Sequence, residues 1–259
     1  VSSYNFLLDG ITWSYSNLKC FEDCPRAWYL KYIECRNTDS DNIYAQFGTF
    51  CHKLLEYYFK GIYQKDELIN IYERDFYDYV EDAITLKNNP TEKLYGFGYK
   101  YFSNINLDRD LIKPIYIEQE VKFKIDRYSF RGFIDLMHKD EKGSLIILDH
   151  KTSEYPVGKK GAIKKSKEQM MKGYTRQLAL YAYGVEQSVG KRPEYIGWNF
   201  IREGKEYIIK LSDSIILDAL NWATDIIRSI YRKEDFEKKE SYIMCSVLCD
   251  SKRACWEDS

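Results

Sequence analysis

The chain contains no apolar run approaching the roughly 18 residues needed to span a bilayer, which excludes a helical membrane protein. Nor does it open like an exported one: Val1 to Gly10 lacks a basic stretch followed by an apolar stretch, so no secretory signal is expected. The first residue is Val rather than Met, as in a processed or trimmed chain. Net charge is nearly absent, with 39 basic against 40 acidic side chains and a formal value of −1, which excludes a globally basic surface but not a local one. Internal repeats and low-complexity linkers are missing. The seven cysteines are odd in number, and without a secretory signal they do not read as a disulfide framework. What is present, 259 residues with 44% hydrophobic and 31% charged, suits one large globular domain with a sizeable core. A soluble, cytoplasmic protein is expected.

Hydrophobic period divides the chain. Residues 14–33 read as two short helices with a break, Ser14 capping the first and Pro25 fitting the first turn of the second. Further helical patterns rich in Tyr, Phe and Leu cover 45–60 and 65–86, a turn at Asn88, Asn89 and Pro90 follows, and another helix is expected near 92–107. From Ile115 to Ile125 the period becomes two, with Ile, Ile, Gln, Val, Phe and Ile at odd positions, the mark of a half-buried strand. Two more strands are expected over 128–137 and 144–151, a long helix over 166–189, strands from Pro193 to Ile201 and up to Leu211, and a last helix capped by Ser212 or Asp213. This order predicts an α/β fold with a central mixed sheet flanked by helices and an N-terminal helical elaboration. The expected division is 1–110 for the elaboration, 111–232 for the α/β core, and 233–259 for a cysteine-bearing segment packing back on the first helices.

The stretch that carries chemistry is Arg131-Gly132-Phe133-Ile134-Asp135 followed by Asp149-His150-Lys151. Alternation puts Asp149 and Lys151 on one face, roughly 7 Å apart, and turns His150 the other way. Carboxylates at the ends of adjacent apolar strands are costly to bury without a partner, and a hard divalent cation is one. A lysine beside it can orient water and offset negative charge. An ordinary exposed Asp–Lys pair at a hairpin end would leave the same short pattern.

In order and spacing these motifs resemble the PD-(D/E)xK nuclease superfamily, specifically its RecB-like branch. The elements are Gly48 to His52, Gly132-Phe133-Ile134-Asp135, Asp149-His150-Lys151 and Gln177-Leu178-Ala179-Leu180-Tyr181, with Tyr15 to Leu18 and Phe21 to Arg26 resembling the opening helix. The resemblance implies a restriction-endonuclease-like core. It implies Asp135, Asp149, His52 and the His150 backbone carbonyl as ligands of Mg2+ or Mn2+, with Lys151 positioning water. Gln177 and Tyr181 would lie on one helical face bordering the site; a core role for His52 or Tyr181 is the plainer alternative. Glu120 matches a glutamate frequent on the preceding strand, and Glu56 lies one turn from His52.

The resemblance extends to the cysteines. Cys245, Cys249 and Cys255, with Cys24 far upstream, are similar to the set that holds a 4Fe–4S cluster in recombination helicase–nucleases and CRISPR adaptation nucleases. The x3 spacing of the first pair departs from the common x2, and zinc or no metal stay open. Cys20, Cys35 and Cys51 read as buried small hydrophobes.

From Lys151 to Arg176 there are eight basic residues against two acidic, among them Lys159, Lys160, Lys164, Lys165, Lys167 and Arg176. Such a patch suits phosphate-backbone contact, though a solvated lysine loop would look the same. The expectation is a metal-dependent deoxyribonuclease acting on DNA ends or single strands in replication, recombination or CRISPR adaptation. A catalytically inactive DNA-binding or assembly subunit is the alternative, and a site-specific endonuclease a third reading. No G-x4-G-K-(S/T) motif is present, so unwinding would come from a helicase or recombinase partner.

Overall fold

The computed structural model describes residues 5–36, 42–81, 90–239, 245, 249 and 251–257; the expected turn residues Asn88 and Asn89 lie outside these. Helices come first: α1 (Asn5–Leu8), α2 (Tyr15–Asp23), α3 (Pro25–Tyr32), α4 (Ile43–Phe59), α5 (Leu68–Tyr79), α6 (Pro90–Phe102) and α7 (Arg109–Ile112). Their starts follow local chemistry. Ser14 Oγ accepts the Asn17 N–H at 3.1 Å to cap α2, Pro25 opens α3 where its missing N–H costs nothing, and Asn42 accepts the Tyr44 and Ala45 N–H groups at the head of α4.

Then follow β1 (Pro114–Ile125), β2 (Tyr128–Lys139), β3 (Leu145–Lys151), α8 (Glu168–Val189), β4 (Tyr195–Phe200), β5 (Lys205–Lys210), α9 (Asp213–Arg232) and α10 (Lys252–Glu257). The five strands form one sheet in the order β1-β2-β3-β4-β5, antiparallel throughout except for the parallel β3–β4 pair. Parallel neighbours need a long crossover, and α8 supplies it. The α/β architecture with a central mixed sheet flanked by helices is therefore the observed one.

Each sheet face has its own core. On one face Trp13, Trp28, Ile134, Ile147, Trp198, Leu178 and Ile227 belong to a cluster built with α2, α3, α8 and α9. On the other, Leu136, Leu148 and Ile201 pack with Phe47, Phe50, Leu55, Tyr72 and Phe102 of α4–α6. Among the described residues no helix is long and apolar enough to cross a membrane.

The pleat slips where two strands pass between the cores. Ile134 faces the first cluster and Leu136, two residues on, the second; Val121 and Ile117 show the same change in β1. Strict alternation would keep each pair on one face. Glu118, with φ +46°, lies at the slip in β1 and stands opposite Asp135 of β2 in the register between Ile117↔Leu136 and Gln119↔Ile134.

Helix α8 lies close on β1 and β2 because two glycines leave room: a Cβ on Gly184 would overlap the Phe123 ring, and one on Gly132 the Tyr181 ring. Gly132→Ala should therefore destabilise the protein by about 1–3 kcal/mol in denaturant unfolding, through overpacking against Tyr181. Unchanged stability would show that the ring moves aside freely.

Candidate active site

The site forms where the end of β3 meets α4 from one side of the sheet and α8 from the other. His150 turns toward the α4–α6 core, where its ring stacks on Phe59 with 6.0 Å between centroids and its Nδ1 accepts a hydrogen bond from Asn199 Nδ2 at 3.0 Å. Burial, then the nearby His52 and Lys151, pushes its pKa well down, so the ring is neutral. Its backbone faces the site on both sides: the N–H donates to Asp135 Oδ2 at 2.8 Å, and the carbonyl lies 2.8 Å from His52 Nε2.

His52, Glu118 and Asp135 converge, with one ligand atom of each within 4.8 Å of the others. His52 Nδ1 is 3.4 Å from Asp135 Oδ2 and 3.7 Å from Glu118 Oε1. Burial opposes a charge on this imidazole, but Asp135, Glu118 and Asp149 outweigh it and hold the pKa up at about 9. The imidazolium thus faces two carboxylates with one nitrogen and a carbonyl with the other, the oxygens a hard cation would use. Asp135 is itself pushed upward, by burial first and by Glu118, against the lowering effect of His52 and Lys151.

On the α8 side Asp149 is 4% exposed and its pKa is raised to about 6, by burial first, with Lys151 pulling down and Asp135 pushing up. Lys151 Nζ lies 2.6 Å from Asp149 Oδ2, a close charged pair between two largely buried groups. The ammonium sits 4.5 Å from the Tyr174 ring centre and donates to Gln177 Oε1 at 3.2 Å; Gln177 Nε2 donates to Tyr181 Oη at 3.4 Å. Burial works against the Lys151 charge, and Asp149 with Tyr174 and Asp135 more than restores it. Tyr181 is buried against Gly132, which pushes its phenol up to about 12.

The expected residues divide accordingly. His52, Asp135, the His150 carbonyl, Asp149, Lys151, Gln177 and Tyr181 share one neighbourhood, though Asp149 pairs with Lys151 and is not one of the three groups that converge at His52. Of the two glutamates of β1, the structure brings Glu118 to His52, where the pleat slips, while the Glu120 carboxylate pairs with Lys122 at 3.1 Å. Gln119, the one polar residue among the odd positions of Ile115–Ile125, was the available signal that alternation fails there. Glu56 pairs with Lys60 and lines, with His52, Lys53, Tyr57 and Glu118, an open groove of about 520 Å³.

The basic stretch is less free than its composition suggests. Arg176 is spent inside the fold, bonded to Asp218 at 2.9 Å, 3.7 Å from Glu22 and stacked over Trp222. Lys164 and Lys167 lie 2.6 and 2.9 Å from Glu154, whose pKa they hold down to about 2 through their hydrogen bonds. Lys159, Lys160 and Lys165 stay exposed, with no ion-pair partner among the described residues.

Of the cysteines, Cys24 Sγ accepts the Lys239 N–H at 3.4 Å while the Cys245 thiol donates to the Lys239 carbonyl at 3.8 Å. Cys255, on α10, has its thiol pKa raised by burial and by Cys24 and Cys245. Cys249 is half-buried. Cys51 is buried as expected, whereas Cys20 is only partly so and Cys35 is exposed, in the left-handed position of the hydrogen-bonded turn that closes α3.

The crystal structure of a Eubacterium rectale protein provisionally named an exonuclease superposes over 98% of this chain and 92% of its own with a TM-score of 0.54 at 16% identity, a likeness of fold. A second structure, SSO0001, aligns over 97% of this chain and 90% of its own at 16% identity, but its TM-score of 0.38 carries no argument. No curated protein matches the sequence significantly. A family model does, over residues 12–255, nearly the whole length, and by that match the chain belongs to the PD-(D/E)XK nuclease superfamily.

Proposed function

We propose that this chain is a divalent-metal-dependent deoxyribonuclease of RecB-like type, acting on DNA ends or single strands. One observation carries the reading: the buried Asp149 and the largely buried Asp135 lie at the seam between sheet and helices, Asp149 paired with Lys151 and Asp135 beside the His52 imidazolium and Glu118. The donor set fits Mg2+ or Mn2+, since carboxylate and carbonyl oxygens predominate. His52, Glu118, Asp135, Asp149 and the His150 carbonyl would hold the ion. A cation there would supply positive charge to the scissile phosphate and acidify a water.

The protein's own groups do the rest. Asp149 keeps Lys151 protonated, so in this arrangement the lysine acts as a charge beside the phosphate rather than as a base. Gln177 accepts from the ammonium and so fixes its aim, and Tyr181 holds Gln177 in turn. The reaction is attack of water on phosphorus with loss of the sugar oxygen, and the ammonium stabilises charge that grows toward the transition state. The exposed Lys159, Lys160 and Lys165 suit contact with phosphates beyond the site. Cys24, Cys245, Cys249 and Cys255 are assigned to a 4Fe–4S cluster tying the C-terminal segment to α3; Cys24 and Cys245 lying near enough to Cys255 to raise its pKa supports this, and zinc is the rival. The whole chain is read as one nuclease unit within a replication, recombination or CRISPR adaptation process.

Lys151→Ala and Asp149→Asn should each lower Mn2+-dependent degradation of labelled DNA by at least about a hundredfold while circular dichroism stays native. Full activity in either removes the mechanism, and a wild type that binds but never cuts DNA favours the inactive subunit.

Metal binding should also depend on pH. With its folded pKa raised to about 6, Asp149 stabilises the metal-free protein in the acid range, and that contribution is lost as pH rises through about 6. His52, raised to about 9, contributes below its ordinary range and loses this only near pH 9. The Mn2+-induced rise in thermal midpoint should therefore grow as pH approaches about 9, where His52 gives up its proton, and shrink again below about pH 6 as Asp149 takes one up. Glu118→Gln should weaken the apparent Mn2+ affinity about 10- to 100-fold and Glu120→Gln leave it unchanged; the reverse order would restore Glu120 to the ligand set.

Anaerobically purified protein should be brown, with a broad visible absorption band and bound iron. A colourless, zinc-loaded sample refutes the cluster.

A further inference from the structure

The β1–β2 hairpin has one covered face and one bare one. Val121, Phe123, Phe130 and Ile134 turn inward to the α8–α9 core. The opposite face carries Lys122, Lys124, Ser129, Arg131 and Phe133, all exposed, and the α4–α6 core draws its β1–β2 contacts only from Ile117 and Leu136, beyond this row. Cross-strand register orders the row: Lys124↔Ser129, Lys122↔Arg131, Glu120↔Phe133, and then Glu118 opposite Asp135. Each step advances two residues, roughly 6.8 Å. The bare face therefore ends beside the group of His52, Glu118 and Asp135, which begins where the pleat slips.

Two properties of the row point to its occupant. Three of its side chains are cationic, and the one carboxylate among them, Glu120, is already neutralised by Lys122 at 3.1 Å. Phe133 is 51% exposed, two residues before Asp135 on the same strand, with a cation on the next register pair. An aromatic ring half in water beside a line of positive charge is the combination that binds an unpaired base and its phosphates together. A duplex hides its base faces and has no use for the ring.

We propose that this bare hairpin face is a track for single-stranded DNA, in which Phe133 stacks under the base next to the scissile phosphate and Arg131 and Lys124, which have no ion pair among the described residues, hold the phosphates behind it. This deepens the nuclease reading and rests on it for the nature of the polymer. Beyond the site the track continues into the open groove walled by His52 and Glu118, where Lys53 lies 5.7 Å from the Tyr57 ring centre and offers the same pairing of cation and aromatic.

The test reads binding rather than cleavage. Fluorescence anisotropy of a labelled single-stranded oligonucleotide and its duplex is measured in EDTA with the full chain, with Phe133→Ala and Phe133→Trp, and with Arg131→Ala. Phe133→Ala should weaken single-strand binding about five- to a hundredfold and leave duplex binding unchanged, while Phe133→Trp retains affinity. Arg131→Ala should lower the slope of log affinity against log salt by about one. Equal single-strand affinity in wild type and Phe133→Ala overturns the proposal, as does equal weakening of single strand and duplex. A change of oligomeric state in Phe133→Ala on size-exclusion chromatography, without a DNA effect, would assign the face to a second copy of the chain and also overturn it. Because no cleavage is needed, failure of the Asp149 and Lys151 variants to lose activity would sink the nuclease mechanism and leave this result to be read by itself.

Discussion

Two carboxylates removed from water at the end of a sheet are the constraint on which the site depends. Burying an unpaired ionised carboxylate costs several kcal/mol, so Asp135 and Asp149 require positive charge within a few ångströms or must take up protons. Lys151 answers Asp149 from the same strand, and His52 answers Asp135 from α4. Both answers are incomplete: Asp149 and Asp135 both remain pushed toward protonation, Asp135 with Glu118 opposite it. Negative charge in excess of its local compensation is what a cation site looks like from the protein's side.

The layered fold makes that arrangement possible. A single helix layer could deliver only one side of it. Here α4 carries His52 in from one core, while α8 brings Tyr174, Gln177 and Tyr181 from the other, and the sheet edge between them is where Glu118 and Asp135 interrupt the pleat. Gly132 lets α8 lie close enough for Tyr181 to support Gln177, so a residue with no functional group sets the aim of the lysine.

Surface charge follows a different logic from the buried pairs. Much of the positive stretch after β3 is used within the fold, Arg176 on Asp218 and Glu22, Lys164 and Lys167 on Glu154. What remains for a polyanion is divided between the exposed lysines of that loop and the bare face of the first hairpin. A near-neutral chain can thus present local cationic surface on both sides of one site.

Much of this was legible in the chain itself. Period-two and period-3.6 patterns place all five strands and the main helices, because burial on one face imposes those periods directly on residue type. Asp149 and Lys151 stand out as charged groups ending an apolar strand, a pattern an exposed ion pair would share until burial at 4% for Asp149 sets them apart. What needed the folded molecule were relations between distant segments. Glu118, in the left-handed region where the pleat slips, lies beside His52 and Asp135, whereas Glu120 pairs with Lys122, and only Gln119 marks that slip in the sequence. Arg176 reads as a free cation until α9 brings Asp218 against it, and Cys35 reads as a buried hydrophobe until α3 ends before it. Local pattern encodes which element forms and which face is apolar; pairing across the fold alone decides which charges meet.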